Sequence, residues 1–218
     1  MDVARFRKVP IMGIMRGVRL DEISPLVETV IDSGLETIEI TMNTKDAVAV
    51  IKQAVEAAGK RLMIGAGTVL SMESLKSALD AGATFIVMPS LVADVTAYCK
   101  QHKIPVFPGA LTPQEIFNAW QAGATMVKVF PAKFFGPDYF KEIKGPFNEI
   151  ELLACSGINP DNMKEYFSSG ASAVSFGASV FKREWLDKKD FASIGKSIKQ
   201  YLSELTSWSH NSPYKTSG

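Results

Sequence analysis

The stretch TIEITMNTKDAVAVIKQAVEAAGKRLMIGAG, residues 37–67, decides the fold. Thr37–Thr41 is a short run rich in β-branched residues, as a strand is. Residues 45–58 are an amphipathic stretch closed by Gly59, and the apolar run Leu62–Ala66 follows directly. A strand, a helix and a strand at this spacing pair in parallel, with the helix as crossover. The unit repeats in both directions. Further apolar runs are Ile11–Met15, Thr84–Met88, Ile104–Phe107, Met126–Phe130, Ile150–Ala154 and Ala173–Phe176. Helix-like stretches alternate with them at Leu20–Asp32, Met72–Asp80, Ala93–Gln101, Pro113–Gln121, Pro137–Lys144, Asn162–Ser168 and Phe191–Leu205. Gly34, Gly59, Gly82, Gly123 and Gly170 stand where helices end. Asp21, Thr44, Ser71, Thr112 and Asn159 stand near helix starts, with Pro113 and Pro160 next to two of them.

Eight strands, each followed by a helix, predict a single α/β domain, a (β/α)8 TIM barrel spanning residues 1–206. Residues 207–218 are polar and aperiodic and read as a loose C-terminal tail. The competing fold is an open doubly wound sheet. It is disfavoured because no Gly-x-Gly-x-x-Gly follows the first strand.

Composition narrows the function. The 218 residues are 46% hydrophobic with a formal charge of +1, a globular profile without the basic face a nucleic-acid partner needs. Two cysteines, Cys99 and Cys155, suit a reducing compartment, and two histidines are too few for most zinc sites. No secretory apolar segment occupies Met1–Pro10, and no apolar run reaches the roughly 18 residues of a membrane span. The expectation is a cytoplasmic, soluble chain with no membrane association and no metal.

Strand parity points to the chemistry. Catalytic groups of a barrel gather at the C-terminal ends of its strands. Arg16 ends the first strand in phase with Met12 and Ile14. Glu39 shares a face with Thr37 and Thr41. Thr68 is placed in phase with Ile64 and Ala66, and Lys128 with Met126 and Phe130. Glu and Lys inside apolar strands are rarely buried unless paired. They either fix the barrel as an ion pair or form an active site. With Arg16 and Thr68 near the same ends, an active site is the expectation. A lysine beside a second cation and low-dielectric walls has its ammonium disfavoured, leaving free amine to condense with a ketone as a Schiff base. A nearby carboxylate shuttles the protons, while Arg16 and Thr68 hold a substrate carboxylate.

Ile38-Glu39-Ile40-Thr41, Gly65-Ala66-Gly67-Thr68-Val69-Leu70, Phe107-Pro108-Gly109 and Val127-Lys128-Val129-Phe130-Pro131-Ala132 occur in that order. Together they resemble the 2-keto-3-deoxy-6-phosphogluconate (KDPG) / 4-hydroxy-2-oxoglutarate (KHG) aldolase family, over about residues 8–205. The resemblance implies a metal-independent, class I Schiff-base aldolase that is a homotrimer and needs no cofactor. It implies Lys128 as the Schiff-base lysine and Glu39 as general acid/base. Thr68 and Arg16 would bind the pyruvyl carboxylate region, with Pro89 and Phe130 walling the pocket. The implied partner is a small 2-keto acid, cleaved reversibly to pyruvate and glyceraldehyde 3-phosphate or a related aldehyde.

Three departures bear on substrate. Asn43 stands where many members have the Arg that helps bind the keto acid. Met15-Arg16-Gly17 resembles the Leu-Arg-Gly of a branch that includes aldolases for the galactonate epimer. Cys155-Ser156-Gly157 replaces Thr-Gly-Gly, and Gly177-Ala178-Ser179 stands where a Gly-Ser pair is usual. Backbone N–H groups after strands seven and eight cradle phosphate in many barrels, so Ser156, Gly157, Gly177 and Ala178, with Ser179, are the phosphate-binding expectation. Two other classes stay open on the residues alone. One is a phosphosugar isomerase or epimerase using Glu39 and Lys128 as proton shuttles; the other is a non-catalytic barrel that binds a small acid. Lys133 and Lys144 read as solvated, His102 as a surface group, and Cys155 as a packed thiol.

Overall fold

A computed structural model describes residues 1–211. Its strands are β1 (Ile11–Met15), β2 (Thr37–Thr41), β3 (Met63–Gly67), β4 (Ile86–Val87), β5 (Val106–Phe107), β6 (Gly109–Ala110), β7 (Val127–Val129), β8 (Leu152–Cys155) and β9 (Ala173–Phe176). The helices are α1 (Val3–Lys8), α2 (Leu20–Asp32), α3 (Ala47–Ala58), α4 (Met72–Asp80), α5 (Ala93–Gln101), α6 (Pro113–Gln121), α7 (Gly136–Lys144), α8 (Met163–Ser168), α9 (Arg183–Asp187) and α10 (Phe191–Asn211). All strand pairs are parallel, in the order β5-β4-β3-β2-β1-β9-β8-β7-β6.

The two ends of that order are neighbours in the chain. Only Pro108 separates β5 from β6, and both belong to the fifth stave. The carbonyls of Pro105 and Phe107 accept from Ile86 and Met88 on one side. Those of Val106, Pro108 and Ala110 accept from Thr125, Lys128 and Phe130 on the other. One stretch of backbone thus feeds both ladders and closes the sheet. Pro108 withholds one N–H from the β7 side, which divides the stave into two short segments. The eight-stave TIM barrel expected from the alternation is the observed fold. Its outermost seam is between β1 and β9, where Ile11 lies opposite Val174.

Two apolar layers stabilise it. Outside the sheet, strand and helix faces share one large core that includes Ile38, Ile40, Val127 and Val129. Inside, Phe6, Met12, Met63, Phe85, Val87, Phe107, Met126, Leu153 and Ala173 fill the lower barrel. Complete burial of such a side chain contributes about 1.5–3 kcal/mol. Phe6 arrives from α1, a helix absent from the sequence reading because one aromatic gives no period. Its ring stands edge-on to Phe107 at 5.9 Å. Asp2 caps α1, and Arg5–Glu36 (2.7 Å) and Arg7–Glu151 (2.6 Å) tie it across the barrel floor.

Helices α2, α4, α5 and α6 have the expected limits, and Ser71 and Thr112 cap α4 and α6 as expected. Thr44 does not cap α3. It accepts the Gly17 N–H at 3.0 Å instead, and α3 starts at Ala47 behind Asp46, whose φ is 56°. Pro160 lies in the turn before α8, because the Asn159 carboxamide oxygen takes the N–H groups of Asp161 and Asn162 first. At the other end, residues 207–211 continue α10 and are not a loose tail. Trp208 stacks on Phe167 at 5.0 Å and anchors that last turn. The remainder of the expected tail, residues 212–218, lies outside the described residues.

One parity was wrong. On β3 the interior face carries Met63, Gly65 and Gly67, while Ile64 and Ala66 pack outward into the large core. Thr68 follows with φ 55°, which breaks the alternation and turns the chain at the barrel mouth.

Candidate active site

Lys128 on β7 and Glu39 on β2 come from opposite halves of the barrel and meet inside it. Lys128 Nζ lies 3.5 Å from Glu39 Oε1, with the two side chains 9% and 1% exposed. Neither faces outward between strand and helix. Glu39 Oε2 has no hydrogen-bond partner among the described residues. An unsatisfied buried carboxylate oxygen is uncommon and needs a reason. Here the unpartnered oxygen belongs to the carboxylate whose other oxygen faces the Lys128 amine.

Gly67 makes room for the carboxylate. A Cβ at this position would fall 2.7 Å from the Glu39 carboxyl carbon. The obstructed atom is the end of a flexible side chain, so Gly67→Ala should leave the fold intact and displace the carboxylate. We expect turnover to fall by about 10²-fold with little change in the thermal midpoint; unchanged turnover would show that the Glu39 position is not demanding.

Electrostatics reverses one expectation. Burial lifts the Glu39 carboxyl above the usual carboxylate range, and the attractions of Lys128 and then Arg16 offset only part of that. Burial by itself lowers Lys128, but Cys155 and Glu39 beside the amine more than compensate, so its proton is held more tightly than usual. The disfavoured ammonium read from the sequence is therefore corrected: partners on other strands outweigh the dry walls. On this arrangement a free amine would come from passing the Lys128 proton to Glu39, whose burial makes it the readier to accept one.

The other expected residues divide into two groups around this pair. Arg16 is exposed at the end of β1, without a side-chain partner among the described residues, and its charge reaches Glu39. The loop carrying it is fixed from below: Gly17 N–H donates to Thr44 Oγ1, which lies 3.1 Å from Thr41 Oγ1. Arg183 donates to the Gly17 carbonyl while pairing with buried Glu22. Phe130 lies with its ring centroid 5.7 Å from Lys128 Nζ. Thr68, Pro89 and Asn43 follow β3, β4 and β2, with Thr68 and Pro89 half-buried and Asn43 exposed.

The second group follows β8 and β9. Ser156 and Gly157 have φ of 85° and 80°. A Cβ on Gly157 would meet Lys133 Cβ at 2.5 Å, so the Lys133 stem lies across this loop. The N–H groups of Ser156, Gly157, Ala178 and Ser179 find no acceptor among the described residues. Gly177 opens the turn that Ala178 and Ser179 continue, its carbonyl accepting from Val180 and Phe181. The Ser179 hydroxyl points to Tyr201 Oη at 3.4 Å, so backbone rather than side chain is offered there.

Sequence reasoning missed Gly67, Thr44, Arg183 and the Cys155 contact. Thr41 was visible in phase with Glu39, whereas the others depend on contacts across the barrel. Lys144 is also corrected: it is part-buried and donates to the Ile150 carbonyl at 2.9 Å, which is what burial demands of an ammonium. His102 is exposed and stacks on Tyr98 at 3.9 Å. Among the described residues no three His, Cys, Asp or Glu side chains converge as metal ligands, and no helix is long and apolar enough to cross a membrane. A cavity of about 1360 Å³ opens between α1, α8 and α10, and its lining includes none of the site residues. Chemistry and volume point to different ends of the barrel, and the convergent polar groups decide for Lys128.

A closed parallel barrel with a buried lysine–carboxylate pair inside it is the frame of a barrel enzyme, and the comparison with known proteins makes it an aldolase, a lyase. The family model "KDPG and KHG aldolase" covers residues 3–197, and the chain belongs to that family. It is 33% identical over 176 residues to the 2-dehydro-3-deoxy-6-phosphogalactonate aldolase of Escherichia coli K12, covering 80% of this chain and 86% of that one. It is 29% identical to the 2-dehydro-3-deoxy-phosphogluconate aldolase of Treponema pallidum, covering 91% and 93%. A solved native KDPGal structure superposes with a TM-score of 0.86 at 29% identity, over 92% of this chain and 96% of that one.

Proposed function

We propose that this chain is a class I aldolase that cleaves a 2-keto-3-deoxy-6-phospho sugar acid to pyruvate and glyceraldehyde 3-phosphate, with Lys128 as the imine-forming amine. The observation that supports this reading above all is the buried Lys128–Glu39 pair with one free carboxylate oxygen. Glu39 takes a proton from the ammonium, and the amine adds to the C2 ketone. Glu39 returns the proton to the departing hydroxyl, and water leaves. Glu39 then removes the C4 hydroxyl proton. The C3–C4 bond breaks, the aldehyde departs, and the electron pair passes into the protonated imine to give an enamine. Protonation at C3 and hydrolysis release pyruvate and restore the amine. The reaction needs no external cofactor.

Arg16 clamps the pyruvyl carboxylate, with the Thr68 hydroxyl beside it and Phe130 and Pro89 as walls. The N–H groups of Ser156, Gly157, Ala178 and Ser179 cradle the phosphate, with Lys133 alongside. Arg16→Ala should raise KM about tenfold to a hundredfold and leave kcat near its starting value. A fall in kcat with KM unchanged would contradict the clamp. The gluconate epimer (KDPG) is the first reading for substrate, and 4-hydroxy-2-oxoglutarate, which would yield glyoxylate, is a smaller candidate of the same type. The galactonate epimer is the second reading, favoured by Asn43, by Met15-Arg16-Gly17 and by the similarity to the E. coli enzyme. Comparing kcat/KM for the two epimers separates them. Exposed Phe134 and Phe135 beside the mouth suit a subunit contact, and we take the assembly to be a homotrimer working in the cytoplasm.

The test is borohydride reduction in the presence of pyruvate, followed by peptide mapping. A reduced pyruvate adduct on Lys128 is the expected result. No adduct, or one on another lysine, overturns the assignment and favours proton shuttling without an imine.

A further inference from the structure

Cys155 makes no bond in the mechanism above beyond its hold on the Lys128 proton, and its place in β8 puts it on the inward face shared with Leu153. In the β7–β8 ladder Lys128 is in register with Leu153, and Cys155 follows two residues later on the same inward face. The lysine side chain extends toward the mouth, where its Nζ lies 5.7 Å from the Phe130 ring centroid. Phe130 and Cys155 are each two residues beyond a register pair, so the amine is carried up to the level of the thiol. Cys155 is 3% exposed, and its thiol is among the groups that hold the Lys128 proton more tightly than usual. Glu39 Oε1 is 3.5 Å from the same nitrogen, and Oε2 is unpartnered. A nucleophilic sulfur, a nucleophilic nitrogen and a proton acceptor thus share one pocket.

We infer that Cys155 and Lys128 form an oxidative modification site, in which a peroxide converts the pair to a sulfur–nitrogen crosslink that removes the amine until a thiol reductant releases it. The Cys155 sulfur first attacks hydrogen peroxide. The O–O bond breaks, the sulfur is oxidised to a sulfenic acid, and one water leaves. Sulfenic acids condense with a neighbouring nitrogen. The Lys128 amine then attacks the sulfur as the S–O bond breaks. Glu39 takes the amine proton and passes it to the departing hydroxide, which leaves as a second water. The product is a Cys155–S–NH–Lys128 link, two hydrogens lighter than the starting pair. Two equivalents of a small thiol restore both side chains and leave as a disulfide. Cys99 is the internal control: it is buried in α5, and burial pushes its thiol up to about 11, away from the thiolate that peroxide needs.

Loss of activity on oxidation rests on Lys128 being the imine-forming residue, but the crosslink itself does not. The experiment therefore reads the two separately. Intact protein is treated with hydrogen peroxide and divided. One half is digested without reductant and mapped for a peptide joining Cys155 to Lys128. The other is given pyruvate and borohydride, before and after dithiothreitol. We expect the joined peptide, about a tenfold loss of trappable Lys128, and full recovery with dithiothreitol. Cys155→Ser, or Cys155→Thr if the serine variant folds poorly, should keep its trapping after peroxide. Oxidised protein in which Cys155 and Lys128 map to separate peptides overturns the proposal, as does a Cys155→Ser variant that loses trapping as readily as the parent. If untreated protein gives no pyruvate adduct but peroxide yields the joined peptide, the modification site stands and the imine reading falls.

Discussion

Lys128→Met should reduce cleavage by about 10⁴-fold or more and abolish pyruvate trapping, while circular dichroism and the thermal midpoint report a folded barrel. Methionine keeps the unbranched apolar stem but supplies no nitrogen. No neighbouring group replaces it, because Lys133 lies across the Gly157 loop with its amine over the Phe134 ring. The variant also leaves Glu39 buried without its cation. Its carboxyl then takes up a proton rather than stay charged, which keeps the fold intact. Residual cleavage within tenfold of the parent would show that binding and proton transfer suffice without an imine.

Glu39→Gln should slow turnover by about 10²–10⁴-fold, the usual range for a general acid–base. The pH dependence makes the test sharper. Glu39 must be ionised to accept the ammonium proton, so turnover rises as pH passes through its lifted range. Lys128 is also held above its ordinary value, so free amine keeps growing into the alkaline region. Glu39→Gln should abolish the lower limb and keep the upper. The same shift has a stability sign. A carboxyl lifted on folding binds its proton more tightly in the native state, so its contribution favours the fold at low pH and is lost as pH rises through the folded value. A pH profile unaltered in shape by Glu39→Gln would mean that another group moves the proton.

Much of this was legible in the chain itself. β1, β2 and β9 have the limits the apolar runs gave them, because residues buried on both faces leave a continuous signal. Glu39 and Lys128 stood out because charge inside such a run is costly. What stayed hidden depends on geometry between elements. Thr68 was misphased because a positive φ at a β-branched residue is a rare backbone state that no local pattern announces. Phe6 gave no period, and its role as floor exists only once Phe107 is beside it. The sign of the Lys128 shift required Cys155, a neighbour from another strand. Gly67 looked like part of a common loop string, yet its missing side chain is what lets Glu39 stand where it does.

The seam between β1 and β9 also bears on how the protein is made. β1 pairs through Gly13–Met15 with β2 on one side and through Ile11–Gly13 with β9 on the other. During translation β1 emerges long before β9, its second partner. Throughout that interval a half-finished sheet presents an apolar edge with open N–H and C=O groups, the kind of surface to which other chains add. Slow synthesis of the stretch that ends in β9, or its truncation, should therefore drive ribosome-bound chains into aggregates or onto chaperones.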